Sequence, residues 1–392
     1  MKLVRLGDIS IAFSDDESFV LRSFSRGVAT RVPGPALALL SFCVQPRSVQ
    51  DVIEAFGPAY GQLFEALHRA GFLATPEEAA HTPMFFENYA SVDVHRRMLA
   101  DRVRLDAYKA ALQEVVKPGM AVLDAGTGSG ILACLAAQAG ARVVYAVDRS
   151  DMVDLARNIV AESGLDETIQ VVRGDFARVE LPEKVDVIVS ETFGQFALAE
   201  GAGPDLVQTA RRHLKEGGRV VPDGLELYVA PVRAPTFYAE TVDPFDDTYG
   251  VQLGPLADAA MRRARNVEMP ASALIHPGKC IVTMPWPDAS HPQGEVTFED
   301  LPAGAMHGWV GWFDIQLSPS VRLSTSPTAP MTHWKQTYFP MPQMTLSEGT
   351  RWTHRMTCKP SPGDRRGYEV TSDWSRTCEA GMEAGSTMHR VR

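Results

Sequence analysis

The segment Val122 to Gly130, VLDAGTGSG, restricts the fold of this chain more than any other. An apolar run ends in an acid and passes straight into three alternating glycines, followed by a helical pattern over 131–139. Glycine is needed where backbone must approach a ligand closely, and the helix that follows offers unpaired N–H groups at its start. Around this segment, AVLDAG, RVVYAVD, IQVVRGD and VDVIVSE read as continuous apolar strands, with a second helical pattern over 152–163. Strands apolar on both faces belong to a parallel sheet covered on two sides. Residues 84–225 therefore read as an α/β Rossmann-like domain.

The chain has 392 residues, too many for one ordinary domain. Upstream, ISIAF, SFVLRSF and GVATRV look like a small strand meander, and three helical patterns follow, one with Ser48 as N-cap and Asp51 in its first turn, the last stopped by Gly71. TPEEAAHTP, residues 75–83, reads as a linker, which sets off an α+β module at 1–80. Downstream of Pro222 the pattern turns to short strands (LELYVAPV, GKCIVTMPW, GWVGWFDIQL, HWKQTYF, RWTHRMTC, YEVTSDW), as in a β barrel or sandwich over 226–392. Residues 236–267, with the amphipathic LADAAMRRARNV, look like a helical excursion from it.

With 48 acids against 38 bases the net charge is -10, a poor basis for binding nucleic acid or an anionic membrane. No apolar run reaches the ~18–20 residues that cross a bilayer, and the N-terminus breaks into charges before a signal-peptide core can form, so a cytoplasmic setting is expected. The five cysteines are scattered and never in C-x-x-C spacing, which indicates reduced packing residues and no thiolate metal site.

Three motifs carry chemistry. In the first, Gly126, Gly128 and Gly130 form the turn, and the next strand ends in Asp148, 18 residues past Gly130, where a carboxylate can accept both ribose hydroxyls of a nucleoside. Asp124 is badly placed for a phosphate and well placed for an ammonium or hydroxyl donor, so S-adenosylmethionine fits better than a dinucleotide. The second, SETFGQFALAE, begins at the end of the fourth apolar strand and holds Glu191 and Glu200 nine residues apart; two converging carboxylates suit a planar guanidinium. The third, Thr332-His333-Trp334, lies in the strand-rich region.

Taken in order and spacing, these motifs resemble those of the protein arginine methyltransferases. FFENYASVDVHRRMLADRVRLDAY is similar to the family's N-terminal helix, VLDAGTGSG to its nucleotide motif, SETFGQFALAE to its double-glutamate loop and LSTSPTAPMTHWKQT to its threonine-histidine-tryptophan loop. The resemblance implies a methyltransferase domain followed by a β barrel, with an inserted helical arm that makes a homodimer. It implies that Glu191 and Glu200 hold the substrate guanidinium, that His333 paired with Asp101 takes the departing proton, and that Trp334 walls the pocket. Arg104 would bind the cofactor carboxylate and steady Glu191, with His95 nearby. Phe86 and Tyr89 would close over cofactor and substrate, and Met98 would limit how many methyls fit. Thr192-Phe193 and Gly201-Ala202-Gly203-Pro204 depart from the residues common in relatives, and Ala177 replaces an acid that faces adenine, leaving Asp175 as its substitute.

Residues 1–80 look like a winged-helix unit and resemble the PqqD-like elements that hold leader peptides of ribosomal precursors. Seven bases against nine acids there make a poor phosphate binder. The expected function is arginine N-methylation in a peptide or protein, against two alternatives: methylation of free arginine or a small guanidino compound, and a peptide-binding adaptor without turnover.

Overall fold

The computed structural model describes residues 1–6, 9–13, 18–23, 28–76, 78, 92–200, 202–245, 249–285, 292–361, 364–378 and 381–391. Most of the expected linker, and Phe85, Phe86 and Tyr89, lie outside the described residues.

At the N-terminus, β1 (Lys2–Arg5) precedes an antiparallel meander of β2 (Ile9–Phe13), β3 (Phe19–Ser23) and β4 (Val28–Val32), in register Ile11↔Leu21↔Thr30. Then come α1 (Pro35–Phe42), β5 (Arg47–Ser48), α2 (Val49–Phe56), α3 (Pro58–Arg69) and β6 (Leu73–Ala74), with β1 paired between β5 and β6. Ser48 caps α2 reciprocally: its hydroxyl accepts the Asp51 amide at 3.2 Å, and the Asp51 carboxylate accepts the Ser48 amide at 2.8 Å. Leu3, Leu21, Val32, Leu39, Phe64 and Phe72 form a core of their own.

The next unit runs α4 (Val92–Ala100), α5 (Arg102–Val115), β7 (Ala121–Ala125), α6 (Ile131–Gln138), β8 (Val143–Asp148), α7 (Met152–Glu162), β9 (Ile169–Arg173), β10 (Val185–Val189), α8 (Ala202–His213) and β11 (Leu214–Val221). Its strands are all parallel, in the order β11-β10-β7-β8-β9. The order reverses between β7 and β10, the place where open α/β sheets leave a crevice beyond the strand ends.

The last unit is antiparallel. It comprises β12 (Gly224–Val232), α9 (Pro235–Val242), α10 (Gly254–Met261), β13 (Arg265–Val267), β14 (Lys279–Pro285), β15 (Gln293–Leu301), β16 (Gly304–Gln316), β17 (Arg322–Ser324), β18 (Gln336–Leu346), β19 (Thr350–Ser361), β20 (Asp364–Cys378) and β21 (Gly381–Val391). One sheet runs β13-β18-β16-β12-β14 with β17 on β16, the other β15-β19-β20-β21.

Two expectations need correction. LADAAMRRARNV is not one helix: α10 ends at Met261, and Arg265–Val267 instead pairs antiparallel with Gln336–Tyr338 of β18, where sheet pairing overrides helical spacing. HWKQTYF is not strand throughout. His333 and Trp334 sit in a turn that ends at Lys335, whose φ is +56° and whose amide donates to the Thr332 carbonyl at 3.1 Å.

Candidate active site

Register between β10 and β7 sets Val189 opposite Asp124, so Asp124 and Glu191 reach the same edge of the sheet. Asp124 is fully buried. Burial pushes its carboxyl up to about 7, although Thr127 Oγ1 donates to Oδ2 at 2.5 Å and offsets part of that rise. After the strand, Gly128 takes a φ of +52°, and a Cβ there would stand 2.7 Å from Cε1 of His95. Only glycine lets the buried His95 ring lie on this turn. Asp148 holds the far side: its Oδ2 accepts the Gly128 amide at 2.9 Å and its Oδ1 the Ser150 amide at 2.7 Å. Each oxygen keeps a lone pair for a further donor such as a ribose hydroxyl.

Arg104 comes from the first turn of α5 and is 4% exposed. Nη1 pairs with Oε2 of Glu191, and Nη2 donates to the Met98 carbonyl at 2.7 Å. Asp124 Oδ1, an acceptor, and Arg104 Nε, a donor, are buried without a partner among the described residues. Buried polar groups are nearly always satisfied, so these ask for a ligand offering a donor to one and an acceptor to the other. The ammonium and carboxylate of an amino-acid tail fit that demand, as S-adenosylmethionine would supply them.

The loop between the two glutamates folds back on itself. The Gly194 amide donates to the Ala199 carbonyl at 3.1 Å, and the Ala197 amide to the Gly194 carbonyl at 3.1 Å. Phe196, Ala197 and Glu200 have φ of +55°, +55° and +79°, conformations that cost non-glycine residues roughly 1–2 kcal/mol each. Packing holds them there. Phe196 is buried edge-on against Phe339 of β18 at 5.3 Å, and the Trp334 indole N–H donates to the Phe193 carbonyl at 3.0 Å.

Asp101 joins the two larger units. Its Oδ1 caps α5 by accepting the Arg104 amide at 3.0 Å, while Oδ2 accepts both the His333 amide at 2.7 Å and His333 Nδ1 at 2.9 Å. Burial alone would raise this carboxyl, but those hydrogen bonds prevail and hold it below its ordinary value. With Nδ1–H committed to Asp101, a neutral His333 keeps its lone pair on Nε2, the tautomer a proton acceptor needs.

The structure therefore gathers Glu191, Arg104, Met98, His95, Gly128, Asp124 and Asp148 at one strand edge, with Asp101, His333 and Trp334 beside them. Trp334 is 4% exposed and packs on Phe193 and Phe313, so it braces the glutamate loop. Asp175 is partnered within the protein: Oδ1 accepts the Ala177 amide at 3.0 Å and Oδ2 lies 3.8 Å from Arg149. The sequence alone assigned no role to Gln195 and Thr332, whose buried Nε2 and Oγ1 have no partner among the described residues. Both stand inside the recognised motifs, a signal that motif chemistry extends beyond the charged residues. Among the described residues, no group of three or more His, Cys, Asp or Glu could hold a metal ion.

Residues 224–379 match the arginine methyltransferase oligomerization subdomain, and residues 122–218 match a methyltransferase domain. Protein arginine N-methyltransferase 1 of Dictyostelium discoideum is 30% identical over 320 residues, covering 79% of this chain and 94% of that protein. Protein arginine N-methyltransferase 6 of Xenopus tropicalis is 32% identical over 311 residues, covering 74% and 91%. Among solved structures, Arabidopsis thaliana protein arginine methyltransferase 10 superposes with a TM-score of 0.69 at 27% identity, over 79% of this chain and 100% of that one. The Trypanosoma brucei PRMT1 enzyme-prozyme heterotetrameric complex with AdoHcy gives 0.72 at 24% identity, over 78% and 99%, a likeness of fold.

Proposed function

The chain belongs to the protein arginine methyltransferase family and is an S-adenosylmethionine-dependent arginine N-methyltransferase, and we propose that Glu191 and Glu200 clamp the guanidinium of an arginine in a peptide selected by residues 1–80. The observation that carries this reading is the buried Arg104–Glu191 pair set beside a donor and an acceptor that have no partner among the described residues. S-adenosylmethionine, when bound, supplies an electrophilic methyl on a sulfonium. A guanidinium spreads its charge over three nitrogens and is a weak nucleophile. Glu191 and Glu200 draw that charge away from the attacking nitrogen and align it. His333 Nε2 accepts the proton that the methylated nitrogen releases, and Asp101 stabilises the resulting imidazolium at Nδ1. Arg104 Nε and Asp124 Oδ1 take the two ends of the amino-acid tail, and Asp148 the ribose hydroxyls.

A pH dependence follows from Asp124. Its folded carboxyl is raised from 3.8 to about 7 by burial, so its contribution to stability is full below pH 4 and is lost as pH rises through about 7. A cationic ligand group removes that penalty. S-adenosylmethionine should therefore bind more tightly as pH rises from 6 to 8, with proton release on binding below pH 7. Calorimetry in buffers of differing ionisation enthalpy measures both; an Asp124→Asn variant should bind more weakly with a flat profile.

For residues 1–80, support comes from their separate core and from the meander, where the outer edges of β2 and β4 carry no further strand among the described residues. An extended leader peptide of a ribosomal precursor could add to such an edge. Removing the module at Thr82 should raise the apparent KM for a long precursor and leave kcat on a short arginine peptide nearly unchanged, since tethering acts through effective concentration. Mass spectrometry of products from peptide arginine and free arginine, offered side by side, tests the substrate. Methylation of free arginine alone would transfer the reading to small guanidino compounds. Assembly as a homodimer through residues 236–267 is supported by exposed Tyr249, Val251 and Leu256.

A further inference from the structure

The two residues flanking Glu191 are tied to the neighbouring strand and its glycine turn. Ser190 is fully buried, and its hydroxyl donates to the Ala125 carbonyl at the end of β7, at 2.8 Å. That uses its only proton. Thr192 Oγ1 lies 3.0 Å from Ser190 Oγ, so the Thr192 hydroxyl is the donor in that bond. The methyl of the same threonine is seated on the turn: a Cβ on Gly126 would stand 2.7 Å from Thr192 Cγ2. Gly126 has φ +83°, and its amide donates to the Val147 carbonyl of β8 at 2.9 Å. Contact thus runs from β8 through Gly126 to Thr192 and Ser190, with Glu191 between the last two.

We propose that Thr192 is a positioning residue that sets the Glu191 carboxylate from the cofactor turn. The inference rests on the reading that Glu191 binds the substrate guanidinium. Arg104 fixes the carboxylate end of that side chain and Thr192 fixes its backbone, so the clamp is held at both ends. A carboxylate that must align a nucleophile tolerates only about 0.5 Å of displacement, which one lost tether can exceed. Thr192 touches no reacting atom in this account and acts through Glu191.

The test uses Thr192→Val, which keeps the methyl on Gly126 and removes the hydroxyl, and Thr192→Ser, which keeps the hydroxyl. Thr192→Val should lower kcat about tenfold, the worth of one hydrogen bond, with the S-adenosylmethionine Kd within about threefold of wild type. Thr192→Ser should restore kcat to within about twofold. In a Glu191→Gln background, adding Thr192→Val should change kcat little, because the group through which it acts is already lost. An unchanged kcat in Thr192→Val, a serine variant as slow as the valine variant, or full additivity with Glu191→Gln would overturn the role of Thr192 alone. A wild-type enzyme that transfers no methyl to arginine would overturn the clamp reading and this inference with it.

Discussion

Glu191→Gln and Glu200→Gln should each lower turnover by about 100- to 1,000-fold, the scale of removing one preorganised electrostatic contact to a transition state. Glutamine keeps the shape of each side chain and removes the charge that polarises the guanidinium. The two variants should differ in their secondary effects. Glu191 is the counterion of buried Arg104, so its neutralisation leaves a cation unpaired and should lower the thermal midpoint. Glu200 stands at the far end of the loop, with φ of +79°, and its neutralisation should leave cofactor binding almost unchanged. Single-turnover rates, calorimetry and thermal melts separate these effects. Near-normal turnover in either variant would remove the clamp from the mechanism.

Legibility in the sequence followed the number of partners each segment has. The inner strands β7, β8 and β10 pair on both edges and lie between helices, so they read as unbroken apolar runs. Of the strands that went unread, β11, β15 and β21 are edges of their sheets, whereas β1 has a partner on each side and escapes notice because it is only four residues long. An edge strand buries less and tolerates charge and glycine, and LKEGGRVV and GMEAGSTMHRV show both. Helical spacing likewise ran past Met261 in LADAAMRRARNV because nothing local marks residues 265–267 for pairing with β18.

The site shows the same division. Asp148 was legible because its spacing from the glycines is a property of one strand-helix-strand unit. The Asp101–His333 pair spans 232 positions and came only from resemblance to a family, since no local pattern announces it. The left-handed Phe196 and Ala197 could not be read at all, because phenylalanine and alanine carry no preference for that conformation and are held in it by packing from β18. Strain of this kind is set by the surrounding fold, and it gathers where the loop presents Glu200.

Arg104→Lys should weaken S-adenosylmethionine binding by about 10- to 100-fold, a loss matching one or two charge-assisted hydrogen bonds, while the protein stays folded. The guanidinium points its donors in three directions at once, to Glu191, to the Met98 carbonyl and, through Nε, to an acceptor that no described residue supplies. A lysine ammonium can keep the Glu191 pair but cannot also reach a carboxylate along the Nε direction, and it lacks the planar face that lies 5.9 Å from the Trp334 ring. Turnover should fall with binding, because the same side chain orients Glu191. Arg104→Met serves as the contrast: it strands the Glu191 carboxylate in a buried site, so destabilisation of about 3–5 kcal/mol should dominate and the thermal midpoint should drop well below that of the lysine variant. Wild-type cofactor affinity in Arg104→Lys would show that Nε is not the carboxylate donor. An unchanged melt in Arg104→Met would show that Glu191 does not depend on Arg104 for its charge.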